Sequence, residues 1–185
     1  NLNKDFQNKY DFVILATYEN NNSLKNDIGI KTDKYFYQLV EKIIIKRPRI
    51  FDRFSCVVID GDFVSIDPYT RDFHIIGHVK KSVINKSNTK KEFKISRELN
   101  ELVKKYDVNE IKRTLFDIIK KDFVKYFNNF EETQYLRSFF VIRCTKKNKN
   151  DERTTNIDFH KKIISVHSGK WINCLEAGAE ISRII

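Results

Sequence analysis

Four runs rich in β-branched and aromatic residues, at 35–46, 56–59, 63–66 and 73–79, follow one another with turn residues between them. This punctuation constrains the fold more than any other feature of the chain. Pro48 closes the first run, Asp60-Gly61-Asp62 separates the second from the third, and the turn-rich stretch 67–72 precedes the fourth. Gly61 can take the positive φ that a tight hairpin needs. Links this short force antiparallel neighbours, because a parallel crossover takes a dozen or more residues. The expectation is an antiparallel meander.

After a polar gap at 85–89 the period changes to that of a helix, with Ile95, Leu99, Leu102, Val103 and Tyr106 on one face. Asp107 and Glu110 resemble a capping box, opening a second helix that buries Ile111, Leu115, Ile118, Ile119, Phe123 and Phe127. A strand returns at 136–145, a charged loop follows at 146–151, and 162–167 reads as a further strand. The fold class is therefore α+β: one mainly antiparallel sheet from residues 35–80 and 136–145, with helices from 91–128 packed on one face.

The two ends of the chain differ from this middle. Residues 11–17 (DFVILAT) form a nearly continuous apolar run, as in a strand buried on both faces of a sheet, and 19–34 reads as a connection. Near the other end Ser165-Val166-His167-Ser168-Gly169-Lys170-Trp171 runs from a strand through a glycine into a helix that places Leu175, Gly178, Ala179 and Ile181 at helical spacing. Free N–H groups at a helix start suit an anion or a polarised cofactor edge; the same residues also fit an ordinary strand-to-helix turn. Arg153 could clamp a carboxylate through two parallel hydrogen bonds, or pair on the surface with Asp151 or Glu152.

No metal site is expected. His74 and His78, four apart on a strand, share a face but stand two pleats apart, and read as structural histidines. Cys56, Cys144 and Cys174 match neither a ligand spacing nor a disulfide framework, and no Cys-His nucleophile signature surrounds Cys174, which points to a reducing, cytoplasmic setting. The longest apolar runs, 43–45 and 139–142, are too short to cross a bilayer, and residues 1–30 lack the apolar stretch of a signal peptide.

The 185 residues carry a formal charge of +10, and fourteen basic against seven acidic residues between Lys80 and Asn128 put +7 of it in one predicted helical stretch. Solvated helix faces account for such a stretch better than a nucleic-acid groove does, and Lys outnumbers the Arg that bidentate phosphate and base contacts favour. The chain has no Met, and Asn1 stands only a few residues before an apolar strand. Both features read as part of a longer protein.

The run Val57-Val58-Ile59-Asp60-Gly61-Asp62-Phe63-Val64-Ser65-Ile66-Asp67-Pro68-Tyr69 with His74-Ile75-Ile76-Gly77-His78-Val79 resembles the substrate-domain meander of bacterial FAD-dependent oxidoreductases of the D-amino-acid-oxidase superfamily. Upstream, Asp11 to Tyr18 (DFVILATY) is similar to the late strand of that family's FAD-binding domain, which ends in a small residue and threonine near the cofactor. Downstream, Asp151-Glu152-Arg153 and the stretch from Ile163 to Trp171 resemble the return to that domain, where a Gly-Lys pair opens the last helix beside the flavin. Trp171 stands where the family more often has a smaller aliphatic residue. The G-x-G-x-x-G turn that receives the dinucleotide's pyrophosphate is absent, since Gly29, Gly61, Gly77, Gly169 and Gly178 are all isolated.

The resemblance implies a substrate domain at 31–150, with remnants of an FAD-binding α/β domain at 1–30 (its late strand) and 151–185 (its last helix). The missing N-terminal region would complete the enzyme. It implies FAD as cofactor, held by Ala16, Thr17, Ser168, Gly169, Lys170 and Trp171. Lys170 and Arg153 would act in catalysis, with Arg153, Tyr69 and His74 contacting a small-molecule substrate. Hydride would pass from that substrate, an amine or hydroxy compound of anionic character, to the flavin. The alternative from charge alone is a non-catalytic basic module that binds nucleic acid or a protein partner through its Lys-rich helices.

Overall fold

The computed structural model describes residues 9–46, 48–51, 54–59, 62–105, 114–146, 153–168 and 170–185. It is a mixed α+β structure with two sheets, one of six strands and one of three. The strands are β1 (Val13–Leu15), β2 (Tyr35–Lys46), β3 (Cys56–Val57), β4 (Val64–Pro68), β5 (Phe73–His78), β6 (Val83–Thr89), β7 (Tyr135–Lys146), β8 (Asn156–His160) and β9 (Ile163–His167). The helices are α1 (Asn21–Asp27), α2 (Arg97–Lys104), α3 (Phe116–Phe123) and α4 (Cys174–Ser182). None of the described helices is long and apolar enough to cross a membrane.

The chain divides into two compact units: residues 1–37, 87–94 and 143–185, and residues 38–86 and 95–142. The division falls inside β2, β6 and β7. The second unit holds the meander, in strand order β3-β4-β5-β2-β6 with β7 also paired to β2. Its register sets Ile66 opposite Ile76 and Ile76 opposite Ile43, a row of fully buried isoleucines across three strands. Directly opposed β-branched side chains on one face are the unit of sheet stabilisation. Ile119 and Phe123 of α3, with Phe51, Phe116 and Phe130, close over this row as one apolar cluster.

A buried carboxylate ties the helix to the sheet. Glu41 of β2, fully buried, accepts hydrogen bonds from Thr114 Oγ1 (2.6 Å), the Leu115 N–H (2.9 Å) and Ser138 Oγ (2.6 Å). It thereby satisfies the Leu115 N–H at the start of α3 from a distant strand, while Thr114 Oγ1 accepts the Phe116 N–H (3.2 Å) beside it. His78 is a second buried anchor. Its Nδ1 accepts the N–H groups of Lys80 and Lys81 (3.1 Å each), and its Nε2 lies 3.3 Å from Asp122 Oδ2. Asp122 is also paired with Lys81 and, at 2.8 Å, with Lys125. Burial opposes the charged carboxylate, but these two lysines outweigh it and hold Asp122 below the usual carboxylate range.

Several expectations need correction. The polar gap at 85–89 is part of β6, whose residues alternate half-buried and exposed along its length. Its polar composition hid a period of two, and pairing with β2 rather than β propensity makes it a strand. The connection at 19–34 contains α1, with Asn21, Asn22 and Lys25 buried on it. Helix α2 buries no residue; Ile95, Leu99, Leu102 and Val103 are half-buried. Helix α3 leaves Ile118 half exposed because one face of eight residues suffices to cover the isoleucine row. The expected capping box at Asp107 and Glu110, with Tyr106 and Ile111, lies outside the described residues, as do Gly61 and the loop at 147–152.

In the first unit β1 runs parallel to β9, with Val13 beside Ile163 and Leu15 beside Ser165, while β8 and β9 form a hairpin. β1 is an edge strand. Its Ile14 is therefore 46% exposed, not covered on both faces as its apolar run suggested. Helix α4 turns Ala177 and Ile181 inward, four residues apart, and leaves Leu175 in solvent at 82% exposure.

Candidate functional site

Parallel neighbours β1 and β9 end side by side, and the chain then leaves them in two directions. Ligands of open α/β sheets bind at such places, outside the carboxyl ends of parallel strands where the connections diverge. Here the divergence opens a cavity of about 530 Å³, within the range of small-molecule sites. Ile14, Ala16 and Tyr18 wall it from the β1 side; Val166, Ser168, Lys170 and Trp171 wall it from the β9 side. Cys174, Ala177, Gly178 and Ile181 of α4 form its floor.

Local hydrogen bonds fix both rims. Asn21 Oδ1 accepts from the Thr17 N–H (3.0 Å) and from Thr17 Oγ1 (2.8 Å), while Asn21 Nδ2 donates to the Val166 carbonyl (2.6 Å). One fully buried amide thus clamps the two strand ends together. Ser168 Oγ accepts the Lys170 N–H (3.2 Å) and donates to the Lys170 carbonyl (2.8 Å), holding Lys170 extended. A 3₁₀ turn at Trp171–Asn173 then leads into α4, which begins at Cys174. The expected helix start at Gly169-Lys170 is thus displaced to Cys174, because the serine locks the backbone in an extended form first.

Behind the β1 rim lies an aromatic column. The ring of Tyr18 is parallel to the His167 imidazole (5.5 Å between centroids, 2° between planes), and Tyr35 packs on His167 at 4.4 Å. Neither ring nitrogen of His167 has a hydrogen-bond partner among the described residues, although the nearby Tyr18 backbone slightly favours the protonated form. Burial dominates, assisted by Lys146, and pulls the imidazole down to about 4, so it is neutral at ordinary pH. Tyr18 itself has φ of 53°. A bulky side chain in the left-handed region costs about 1–3 kcal/mol and persists only where its surroundings over-determine it.

A further buried network stands beside the column. Lys25, 1% exposed, pairs with Asp33 at 2.8 Å and with Asp158 at 3.5 Å, and Lys146 reaches Asp33 at 3.3 Å. Burial would raise the Asp33 carboxyl, but the two lysines outweigh it and hold it low. Asn22 completes this support: its side chain donates to the Asp33 and Lys90 carbonyls and accepts the Asp33 N–H.

Of the residues expected at a site, Ala16, Ser168, Lys170 and Trp171 line the cavity, and Thr17 sits on its rim through Asn21. Gly169 lies outside the described residues. Arg153 is not among the lining residues, but its carbonyl accepts from Asn173 Nδ2 (3.3 Å), which ties its backbone to the turn that carries Trp171. Thr155 and Ser168 are likewise joined, at 3.3 Å. Tyr69 and His74 belong to the other unit: Tyr69 follows β4 with its ring 6.1 Å from that of Phe139, and His74 is completely buried on β5. No group of three potential metal ligands occurs among the described residues.

The sequence places Tyr18 and His167 in the segments singled out above but assigns neither a role, and it gives no sign of Asn21. Asn20-Asn21-Asn22 read as loop composition, and nothing local in it reveals that Asn21 reaches Val166, 145 positions away. No protein-family model and no curated protein matches the chain.

Proposed function

We propose that the chain is the substrate-side portion of a flavin-dependent oxidoreductase and that the cavity between β1, β9 and α4 takes the flavin ring. What supports the reading is one coincidence. The two segments likened above to the flavin-contacting parts of the D-amino-acid-oxidase superfamily, which lie before and after the meander in the sequence, wall a single cavity.

The cavity suits a flat ring. Its walls are mostly apolar, and a Cβ built on Gly178 would meet nothing within 4 Å, so open space lies over the helix floor there. The same chain does not suit a dinucleotide's diphosphate, for which its isolated glycines offer no turn. A separate dinucleotide-binding region therefore belongs to the proposal. When bound, the flavin supplies an acceptor for a hydride, two electrons and a proton, from a substrate carbon. The chain's own contribution is orientation and charge. Lys170, exposed at the cavity wall, brings a cation to where negative charge develops, and the apolar lining keeps water from the ring. Arg153 would hold an anionic group of the substrate.

Titration of the chain with FMN and with FAD, read by circular dichroism in the flavin's visible band, tests the reading. A saturable signal from FMN is expected, with FAD bound no more tightly because its diphosphate gains nothing here. A chain that induces no signal with either ligand overturns the proposal. In the completed enzyme Lys170→Ala should slow ring reduction, whereas Arg153→Lys should chiefly raise KM for an anionic substrate, since a point charge cannot reproduce a two-pronged contact.

A further inference from the structure

Tyr18 lines the cavity, and the flavin reading assigns it no part. Its phenol is a poor candidate for proton transfer. Burial pushes it above the ordinary tyrosine range, and its Oη is engaged as acceptor of the Cys144 N–H at 2.9 Å. Its geometry is constrained from three directions. Asn21 holds the preceding Thr17 by two hydrogen bonds, His167 lies flat against the ring, and Cys144 fixes the hydroxyl end. The positive φ at Tyr18 shows that these constraints prevail over a backbone preference that would turn the ring elsewhere.

We propose that Tyr18 is a positioning residue: a rigid aromatic wall, backed by His167, that sets the tilt of a flat heteroaromatic ring bound in the cavity. This rests on the flavin reading and adds to it the part of the chain that orients the ring. A preorganised wall loses little freedom on binding, and an offset-stacked ring gains from the quadrupole of its partner. His167 is suited to its supporting place because it is neutral there, so it stacks without placing a cation behind the wall.

The sequence provides its own reporter, since Trp171 is the only tryptophan and lines the same cavity. In a ¹⁵N-labelled sample its single indole N–H resonance follows binding of FMN, and a parallel titration with inorganic phosphate separates any effect of the phosphoryl group. FMN should shift this resonance saturably and phosphate should not. Tyr18→Leu, which removes the ring, should weaken FMN binding about tenfold, the usual worth of a lost stacking partner. Tyr18→Phe keeps the ring and loses the Cys144 anchor; it should bind FMN with similar affinity but alter the visible circular dichroism of the bound ring.

If the wild-type chain binds FMN and Tyr18→Leu binds it equally well with an unchanged spectrum, the positioning role is wrong and the flavin reading stands. If FMN leaves the wild-type Trp171 resonance unmoved, both fall. Should Tyr18→Leu lose the dispersed spectrum of a folded chain, Tyr18→Phe decides alone: an unaltered dichroism of bound FMN overturns the proposal.

Discussion

The two units of this chain bury polar groups for different ends. In the meander unit Glu41, Asp122 and His78 each join elements far apart in sequence, and each has its lone pairs and protons matched by named partners beneath an apolar cluster. In the unit of β1, β8 and β9, the buried His167 ring has no hydrogen-bond partner among the described residues, Tyr18 is strained, and Trp171 and Leu175 are more than four-fifths exposed. Positive φ occurs in both units, at Tyr18 and Lys161 in one and at Asn129 in the other; what sets the first apart is that its strained tyrosine stands at an open apolar cavity, where strain can serve binding.

The sharpest way to break this comparison is at Glu41. Glu41→Ala removes the acceptor shared by one buried and two half-buried donors and should cost about 2–4 kcal/mol in urea unfolding, with Glu41→Gln intermediate. A loss as small as that of an ordinary surface change would mean that the meander unit is not closed in the way described.

A pH series tests the other unit. The folded His167 has its pKa depressed to about 4 from 6.5. Its stabilising contribution is therefore complete above the unfolded value and is lost as pH falls from about 6.5 to about 4, where the unfolded chain binds the extra proton. The full span is worth about 3 kcal/mol. His78 also has a depressed pKa, chiefly from burial, and contributes in the same direction, so the informative quantity is a difference. His167→Phe keeps a flat ring between Tyr18 and Tyr35 and should flatten the wild-type slope in that window. An identical slope in the variant would show that His167 is protonated or solvated in the fold.

Smaller effects sharpen the distinction between strain that serves a site and strain that does not. Lys161, at φ 56° in the two-residue link of the β8–β9 hairpin, lies outside the cavity lining. Lys161→Gly should stabilise the chain by about 0.5–1 kcal/mol with FMN binding unchanged, as measured by urea midpoint and dichroism titration. Lys170→Ala should move the urea midpoint least, by within about 0.5 kcal/mol, because its ammonium is exposed. A large loss there would make Lys170 a structural residue and take away its place at the site.

How much of this was legible beforehand varies with the range of the interactions involved. The long strand at 35–46 was read with its observed limits, and the meander that follows it nearly so, because β-branched runs between turn residues specify antiparallel pairing within a few residues. Strand β6 was not legible: its residues are polar, and only the neighbouring edge of β2 makes them extended. The cavity residues Ala16, Ser168, Lys170 and Trp171 follow from a resemblance of short segments that also contain Tyr18 and His167 without giving them a role, whereas Asn21 is revealed only by the tertiary structure.

The sequence by itself determined the α+β class and the succession of strands from β2 to β5, since alternation and turn chemistry act over neighbouring positions. Only the tertiary structure decided that an asparagine in a polar run would join the ends of two parallel strands, that a glutamate in β2 would cap α3, and that a tyrosine would be forced to positive φ against a neutral histidine. Those outcomes depend on which buried donor meets which acceptor after distant segments are packed. A buried polar group must find a partner or bear the cost of desolvation, and no local pattern encodes where that partner lies.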